Sequence, residues 1–449
     1  MRLPALITRE DRISYIYLVK WVLISLVAGV TASCLVHLFT HFLDVAASFL
    51  DRTTLPRWVW PTVGALIAGG VIYPFEPHAA GEGIPSYIQT LRQSKTVFPI
   101  RITVGKLGAA FVTLATFGNG GIVGPLGRVC AGFISSVFGF FAGKKIFWDD
   151  DDRRTAAICA MAATVGTIFH APIGGGIFAV EIIQKSKMGY RDLFPAILSS
   201  ATSVFICTAL GWKRFYHFSA VNEFMDVSYV GWLTLLALLA GGAGGAYTIL
   251  YGWISRLFGR KKGRVLLKVA AGSAIAAAGG WLLNPSLMGT SKEMVTALFA
   301  GDYTLLSGNV SGSAVPVVLI LCLMLLSKAL FNCITVGSGM SAGFTGPAVI
   351  MGLLSGAIAA NFLGIEPGTA SYYAFLASGF AAMLAGSMNI PLAAAVMTTE
   401  LFGLDYSFPA GFSAVIGFQV MRHRTIYDYA VSDGVGQQEQ SDEDGMDAS

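Results

Sequence analysis

Charge is what this chain has least of. Charged residues are 12% of its 449 positions, against about 25% in soluble domains. The net charge of +4 is too weak to suggest a nucleic-acid partner. A cysteine framework is also missing. Cys34, Cys130, Cys159, Cys207, Cys322 and Cys333 lie in or beside apolar stretches without paired spacing, which reads as packing thiols rather than disulfides. With neither a Ser/His/Asp motif nor a His-Glu-x-x-His arrangement in the sequence, no enzyme chemistry is expected. The opening "MRLPALITREDRISYIYLVK" mixes both charge signs and has no small-residue cleavage site, so a removable signal peptide is not expected there. His37 and His41 have the spacing of a helical metal pair, but no third ligand stands near them. Packed or interfacial histidines are expected there, with no metal and no cofactor.

What abounds is hydrocarbon. Hydrophobic residues are 54% of the chain. Apolar runs at Trp21–Val36, Leu107–Phe117, Ala156–Val180, Val230–Ile254, Val315–Leu326 and Ala348–Leu363 recur along it. Several are shorter than the roughly 20 residues that cross a hydrocarbon core, or are cut by Gly and Pro. The expected fold is an all-α polytopic membrane protein with broken helices, because unpaired backbone at depth is tolerated only where it is buried or lines a cavity. Basic residues cluster in "GRKKGR" (Gly259–Arg264), read either as a cytoplasmic loop or as a solvated turn on either side. The run "WDDDDRR" (Trp148–Arg154) reads as a solvated loop with an N-cap before Ala156. One transmembrane domain is expected over 1–432, and an acidic, disordered tail over 433–449. The expectation of a bacterial cytoplasmic (inner) membrane rests on that compact form without a regulatory domain.

Glycine supplies the organisation. It occupies 53 positions, about 12% against a usual 7% or so, and its placement repeats. Lys106 is followed 18 and 19 residues later by Gly124 and Pro125, and Lys328 by Gly346 and Pro347 at the same intervals. Pro172 precedes Glu181 by nine residues, as Pro391 precedes Glu400. Two halves, roughly 14–212 and 228–432, are therefore visible at an offset of about 220 residues. Interrupted hydrophobic segments at matching places point to a transporter or channel with its site between the repeats.

Elementary physics says what such breaks can do. A half-helix that starts in mid-membrane has N–H groups without partners and a positive dipole end. Glycines before it let a ligand approach the backbone, and proline in the first turn loses no needed donor. The result is a site for an anion. "GNGGIVGPLGR" (Gly118–Arg128), "GSGMSAGFTGP" (Gly337–Pro347) and "AGEGIPSYIQ" (Ala80–Gln89) are three such starts. Close helix packing is the competing use for the same glycines.

These residues resemble the CLC family of chloride channels and chloride/proton exchangers, over essentially Ile13 to Val431. Gly81-Glu82-Gly83-Ile84-Pro85 is similar to the family's Gly-Ser-Gly-Ile-Pro. Gly121-Ile122-Val123-Gly124-Pro125 stands where Gly-Arg-Glu-Gly-Pro is usual, and Gly343-Phe344-Thr345-Gly346-Pro347 where Gly-x-Phe-x-Pro is usual. "FHAPIGGGIFAVE" resembles the Phe-Asn-Ala-Pro segment that ends in glutamate, and Tyr427 stands for the family's pore tyrosine. The resemblance implies two inverted halves, a homodimer in the lipid bilayer with one pore per subunit, and an anion held by backbone amides and the tyrosine hydroxyl.

Two departures bear on coupling. The family's outer gating glutamate corresponds to Val123 and its inner proton glutamate to Ile182, next to the retained Glu181. Neither side chain binds a proton, which favours passive flow of small anions, chloride first. Glu82 takes the place of a serine that donates to the anion. It can serve as a neutral acid that donates, as burial favours the uncharged form. It can instead be a relocated gate or proton carrier, or turn toward Lys106 and cap backbone amides. Thr345 makes the wall more polar. Arg128 reads as an anion attractor or one member of an ion pair, and His170 as a hydrogen-bonded helix-start residue. Glu181 and Glu400 read as acceptors for helix ends. An exchanger that uses Glu82, and a scaffold whose pore no longer conducts, are the alternatives to a channel.

Overall fold

Large apolar side chains cover much of the outside of the molecule. Leu23, Leu38 and Phe42 on the first helix, Leu239 and Trp253 near mid-chain, and Leu319 and Leu326 further on are all largely exposed. Such a surface is stable only against lipid. The computed structural model describes residues 9–93, 96–142, 150–183, 190–216, 221, 223–259, 265–307 and 316–429. The tail and most of the "GRKKGR" loop lie outside these.

In chain order the helices are α1 (Arg9–Asp51), α2 (Trp60–Ile67), α3 (Ile84–Arg92), α4 (Ile100–Ala115), α5 (Val123–Ala142) and α6 (Asp150–Phe169). Then come α7 (Gly174–Glu181), α8 (Tyr190–Ala209), α9 (Val230–Gly259), α10 (Val265–Leu283), α11 (Lys292–Ala300) and α12 (Thr304–Ser307). The chain continues as α13 (Val317–Gly337), α14 (Thr345–Phe362), α15 (Ala370–Met388), α16 (Pro391–Phe402) and α17 (Ser407–Met421). Among the described residues there is no strand, only one antiparallel bridge between Gly121 and Gly343. Among the described residues, six helices are long and apolar enough to cross a membrane. By contrast α3, α7, α11 and α16 have only 9, 8, 9 and 12 residues. These are half-helices, so their ends must find partners inside the protein.

Glutamates supply two of those partners. Glu400 at the end of α16 accepts from the amides of Ile173 and Gly174 at the start of α7, both at 2.8 Å. Glu181 at the end of α7 accepts from Leu392 and Ala393 at the start of α16, at 3.1 and 2.7 Å. Each half-helix thus caps the other with a group that also suits the positive dipole end. The exchange is reciprocal at the offset of about 220 residues read from sequence, the mark of a two-fold relation between inverted halves. His170 and Asn389, equivalent by the same offset, both take the left-handed conformation (φ 56° and 62°) that ends α6 and α15. His170 therefore ends a helix rather than starting one, with Nε2 3.5 Å from Thr208 Oγ1.

Two other expectations change. The described part of "WDDDDRR" is the first turns of α6, not a solvated loop. Asp152 is buried and paired with Lys20, Asp151 with Arg191, and Arg154 with Asp192. Acid in a first helical turn is favoured by the dipole, which the loop reading overlooked. The run Trp21–Val36 is part of a single 43-residue helix, longer than an upright span needs. The six cysteines are free thiols. His37 lies flat on Trp212 with centroids 4.0 Å apart, a packed histidine as expected.

Removing one reciprocal cap leaves two helix-start amides without acceptors. Glu400→Ala and Glu181→Ala are each expected to cost about 1–2 kcal/mol. Thermal unfolding in detergent should show a lowered midpoint, similar in size for both variants. An unchanged midpoint for either would show that its carboxylate does not hold the opposite helix.

Candidate functional site

Three helix starts meet at the centre of the molecule. Gly121 N–H donates to Gly343 O at 2.8 Å, and Gly343 N–H to Gly121 O at 2.7 Å, which sets the starts of α5 and α14 side by side. A Cβ on Gly121 would fall 2.8 Å from Gly346 N, and one on Gly83 would fall 2.2 Å from Gly124 O. No other residue type permits backbone to lie on backbone so closely. Pro85, Pro125 and Pro347 lie in the first turns of α3, α5 and α14, where a missing N–H costs nothing. Phe344 is clamped by the rings of Tyr251, Tyr247 and Tyr427, with centroids 4.5, 6.0 and 6.3 Å away.

Buried lysines hold the approach loops. Lys106, 1% exposed, donates to the carbonyls of Ala80, Gly81 and Glu82. Lys328, fully buried, donates to Leu287 O, Gly289 O and Ser291 Oγ at 3.2, 3.4 and 2.6 Å. The two loops match: Gly81 and Gly289 have φ of 67° and 64°, and each N–H meets a carbonyl of the other half, Gly339 and Phe117. The loop at Gly289 escaped the sequence reading because "MGTSKEM" lacks the proline that marks the other starts. Its signal was the paired lysine.

Glu82 takes an unexpected position. Its backbone carbonyl, not its carboxylate, meets Lys106. Carboxylate Oε2 accepts from Ile84 N–H, the first amide of α3. Oε1 is buried without a hydrogen-bond partner. A Cβ on Gly124 would fall 1.6 Å from Oε1, so the carboxyl lies against the first turn of α5. Of the readings open at the sequence, capping is seen, but of its own helix, and the free oxygen faces the second helix start.

Other residues sort themselves around this point. Ile122 and Val123 are buried at the start of α5. Tyr427 is buried, with its hydroxyl 3.4 Å from Met388 Sδ and facing Glu82 and Thr345. Thr345 Oγ1 is buried beside the Tyr427 hydroxyl. Tyr427, Ile182 and Glu181 line a cavity of about 80 Å³, together with Arg92 and Asp428. A separate cavity of about 450 Å³ opens among Arg57, Phe117, Phe215, Gly289, Ser291 and Lys292. The next residue, Tyr216, is buried with its hydroxyl 3.2 Å from where a Cβ on Gly346 would lie. No motif announced it, since it stands in the irregular stretch after α8. Arg128 is neither at the crossing nor in an ion pair of the expected kind. Its guanidinium lies 4.4 Å from the Phe98 centroid and 3.5 Å from Thr103 Oγ1, because a buried cation finds a ring face where no acid is near.

The arrangement can hold a small anion by backbone amides and hydroxyls, with one carboxyl already at the place. Known proteins resemble the chain along most of its length. The chain is 26% identical over 419 residues to an uncharacterized protein of Methanocaldococcus jannaschii, covering 92% of this chain and 96% of that one. It is 23% identical over 425 residues to a chloride/fluoride channel protein of Pseudomonas syringae pv. tomato, covering 92% and 86%. The crystal structure of a CLC-type fluoride/proton antiporter superposes with a TM-score of 0.78 at 18% identity, over 94% of this chain and 98% of that one. The family model for voltage-gated chloride channels matches residues 64–422. The chain belongs to the voltage-gated chloride channel (CLC) family.

Proposed function

We propose that this integral membrane protein moves small inorganic anions, chloride first, by uncoupled conduction, with Glu82 as the group that blocks the path. The observation that carries the reading is the position of Glu82. Its carboxyl bridges the starts of α3 and α5, where a permeating anion would find amides and a positive dipole end. An ionised carboxylate competes with the anion for that place. Once protonated or turned aside, it releases the place. Uncoupled flow is favoured because Val123 at the start of α5 and Ile182 on the small cavity carry no proton. Assembly as a homodimer in a bacterial cytoplasmic membrane completes the proposal.

Coupled anion/proton exchange through Glu82 is the second reading, and one observation favours it. The unpartnered Oε1 is a protonatable atom inside the anion's place. Purified protein in liposomes under opposed chloride and pH gradients separates the two. Uncoupled conduction gives a reversal potential at the chloride value whatever the pH gradient, for wild type and for Glu82→Gln. A potential displaced by the pH gradient in wild type and restored in Glu82→Gln would establish exchange instead. Absence of flux from folded protein would leave only a non-conducting scaffold.

Blocking has its own signature. Protonation removes the competing charge, so chloride flux in wild type is expected to rise as pH falls, while Glu82→Gln starts high and stays flat. Equal pH profiles for the two proteins would remove Glu82 from the gate. Lys106→Met would leave three buried carbonyls without their donor, at about 3 kcal/mol or more. Its expected outcome is a lowered unfolding midpoint together with loss of flux. Normal flux would show that the ammonium does not shape the approach loop.

A further inference from the structure

We infer that the buried Arg128 guanidinium is the charge that draws a small monovalent anion to the place beside Glu82, acting through space from one helical turn away. The inference rests on the shared anion place proposed above.

Burial without a counter-charge carries it. Arg128 is 2% exposed, and a guanidinium keeps its charge at any ordinary pH. Among the described residues it enters no ion pair. Its Nε is buried without a hydrogen-bond partner. The guanidinium otherwise meets the Phe98 ring and, at 3.5 Å, Thr103 Oγ1. A ring face and one long contact do not replace the water such a group gives up. A buried charge is costly unless one of opposite sign lies within reach.

Placement says where that opposite charge belongs. Gly124 and Arg128 are four apart on α5 and so lie on one face of it. It is at Gly124 that an added Cβ would fall 1.6 Å from Glu82 Oε1. On α4 the same direction is repeated. Thr103, which meets Arg128, precedes by one turn Lys106, which donates to the backbone carbonyl of Glu82. Lys106 faces Arg128 on one side and Glu82 on the other. Two buried cations thus stand beside one carboxyl. With both cations charged and Glu82 ionised, one positive charge is left over. With Glu82 protonated, two are left. A small anion at the shared place is the ligand that offsets this excess, and it does so best when the carboxyl is neutral or turned aside. The halves differ here in a telling way. Ile350, fully buried, stands at the offset from Arg128 that relates Lys106 to Lys328 and Gly124 to Gly346. Arg128 and Glu82, of opposite sign, are therefore both without a charged counterpart in the second half.

The test uses full-length protein carrying Glu82→Gln, so that no carboxylate competes, with chloride binding read by calorimetry in detergent. Adding Arg128→Met keeps an apolar stem against Phe98 and is expected to weaken chloride binding about tenfold. Adding Arg128→Lys keeps the charge and is expected to hold binding within about threefold of the parent. The unfolding midpoint in a chloride-free gluconate buffer separates charge from packing. Removing a buried cation that has no partner is expected to leave that midpoint unchanged or raised in Arg128→Met. Unchanged chloride affinity in Arg128→Met would overturn the inference. Equal losses in the Met and Lys variants would overturn it too, and a lowered midpoint in Arg128→Met would make Arg128 a packing residue instead. Failure of the underlying reading is visible separately, because Glu82→Gln with Arg128 intact would then bind no chloride.

Discussion

Two peptide groups, at Gly121 and Gly343, hydrogen-bond to each other across the centre of the molecule, and most of the arrangement follows from that pair. Antiparallel pairing fixes the starts of α5 and α14 against each other, and hence the relation of the halves to which they belong. It also dictates composition, because a side chain at Gly83, Gly121 or Gly343 would meet backbone atoms at 2.2–3.0 Å. Once the backbones touch, the remaining N–H groups of the first turns are concentrated in a small volume. That concentration of donors is what the proposed anion place rests on.

Buried charge is spent elsewhere, on backbone. Lys106 and Lys328 neutralise the carbonyl sides of two loops, and Glu181 and Glu400 the amide sides of two half-helices. Each of these four groups has a counterpart in the other half. Glu82 has none, for its equivalent by position in the loop is Thr290. An acid that breaks the symmetry of an otherwise symmetric set, and that leaves one oxygen without a partner, is the natural candidate for a group that moves.

Much of this was legible beforehand, and for a physical reason. Half-helix starts need glycine and proline at fixed places, so Gly81–Pro85, Gly121–Pro125 and Gly343–Pro347 were identifiable as a set. The paired Glu181 and Glu400 could be read as helix-end acceptors because each follows a proline at one spacing. What escaped was whatever depends on side-chain direction or on contacts between distant segments. Arg128 was one turn from a helix start, but which way it pointed was decided by Phe98. The charged run that opens α6 looked solvated because its partners, Lys20, Arg191 and Asp192, are far away in sequence. Tyr216 lies in an irregular stretch without periodicity, where only the folded chain shows what it reaches.

The central claim is that a permeating anion and the Glu82 carboxyl share one place between the starts of α3 and α5. Anomalous diffraction from bromide-soaked crystals of wild type and Glu82→Gln addresses it directly. A bromide peak in Glu82→Gln within hydrogen-bonding reach of Ile84 N and Gly124, weak or missing in wild type, is the result the shared place requires. Equal peaks in both proteins, or a peak in neither at that position while bromide still crosses the membrane, would contradict it.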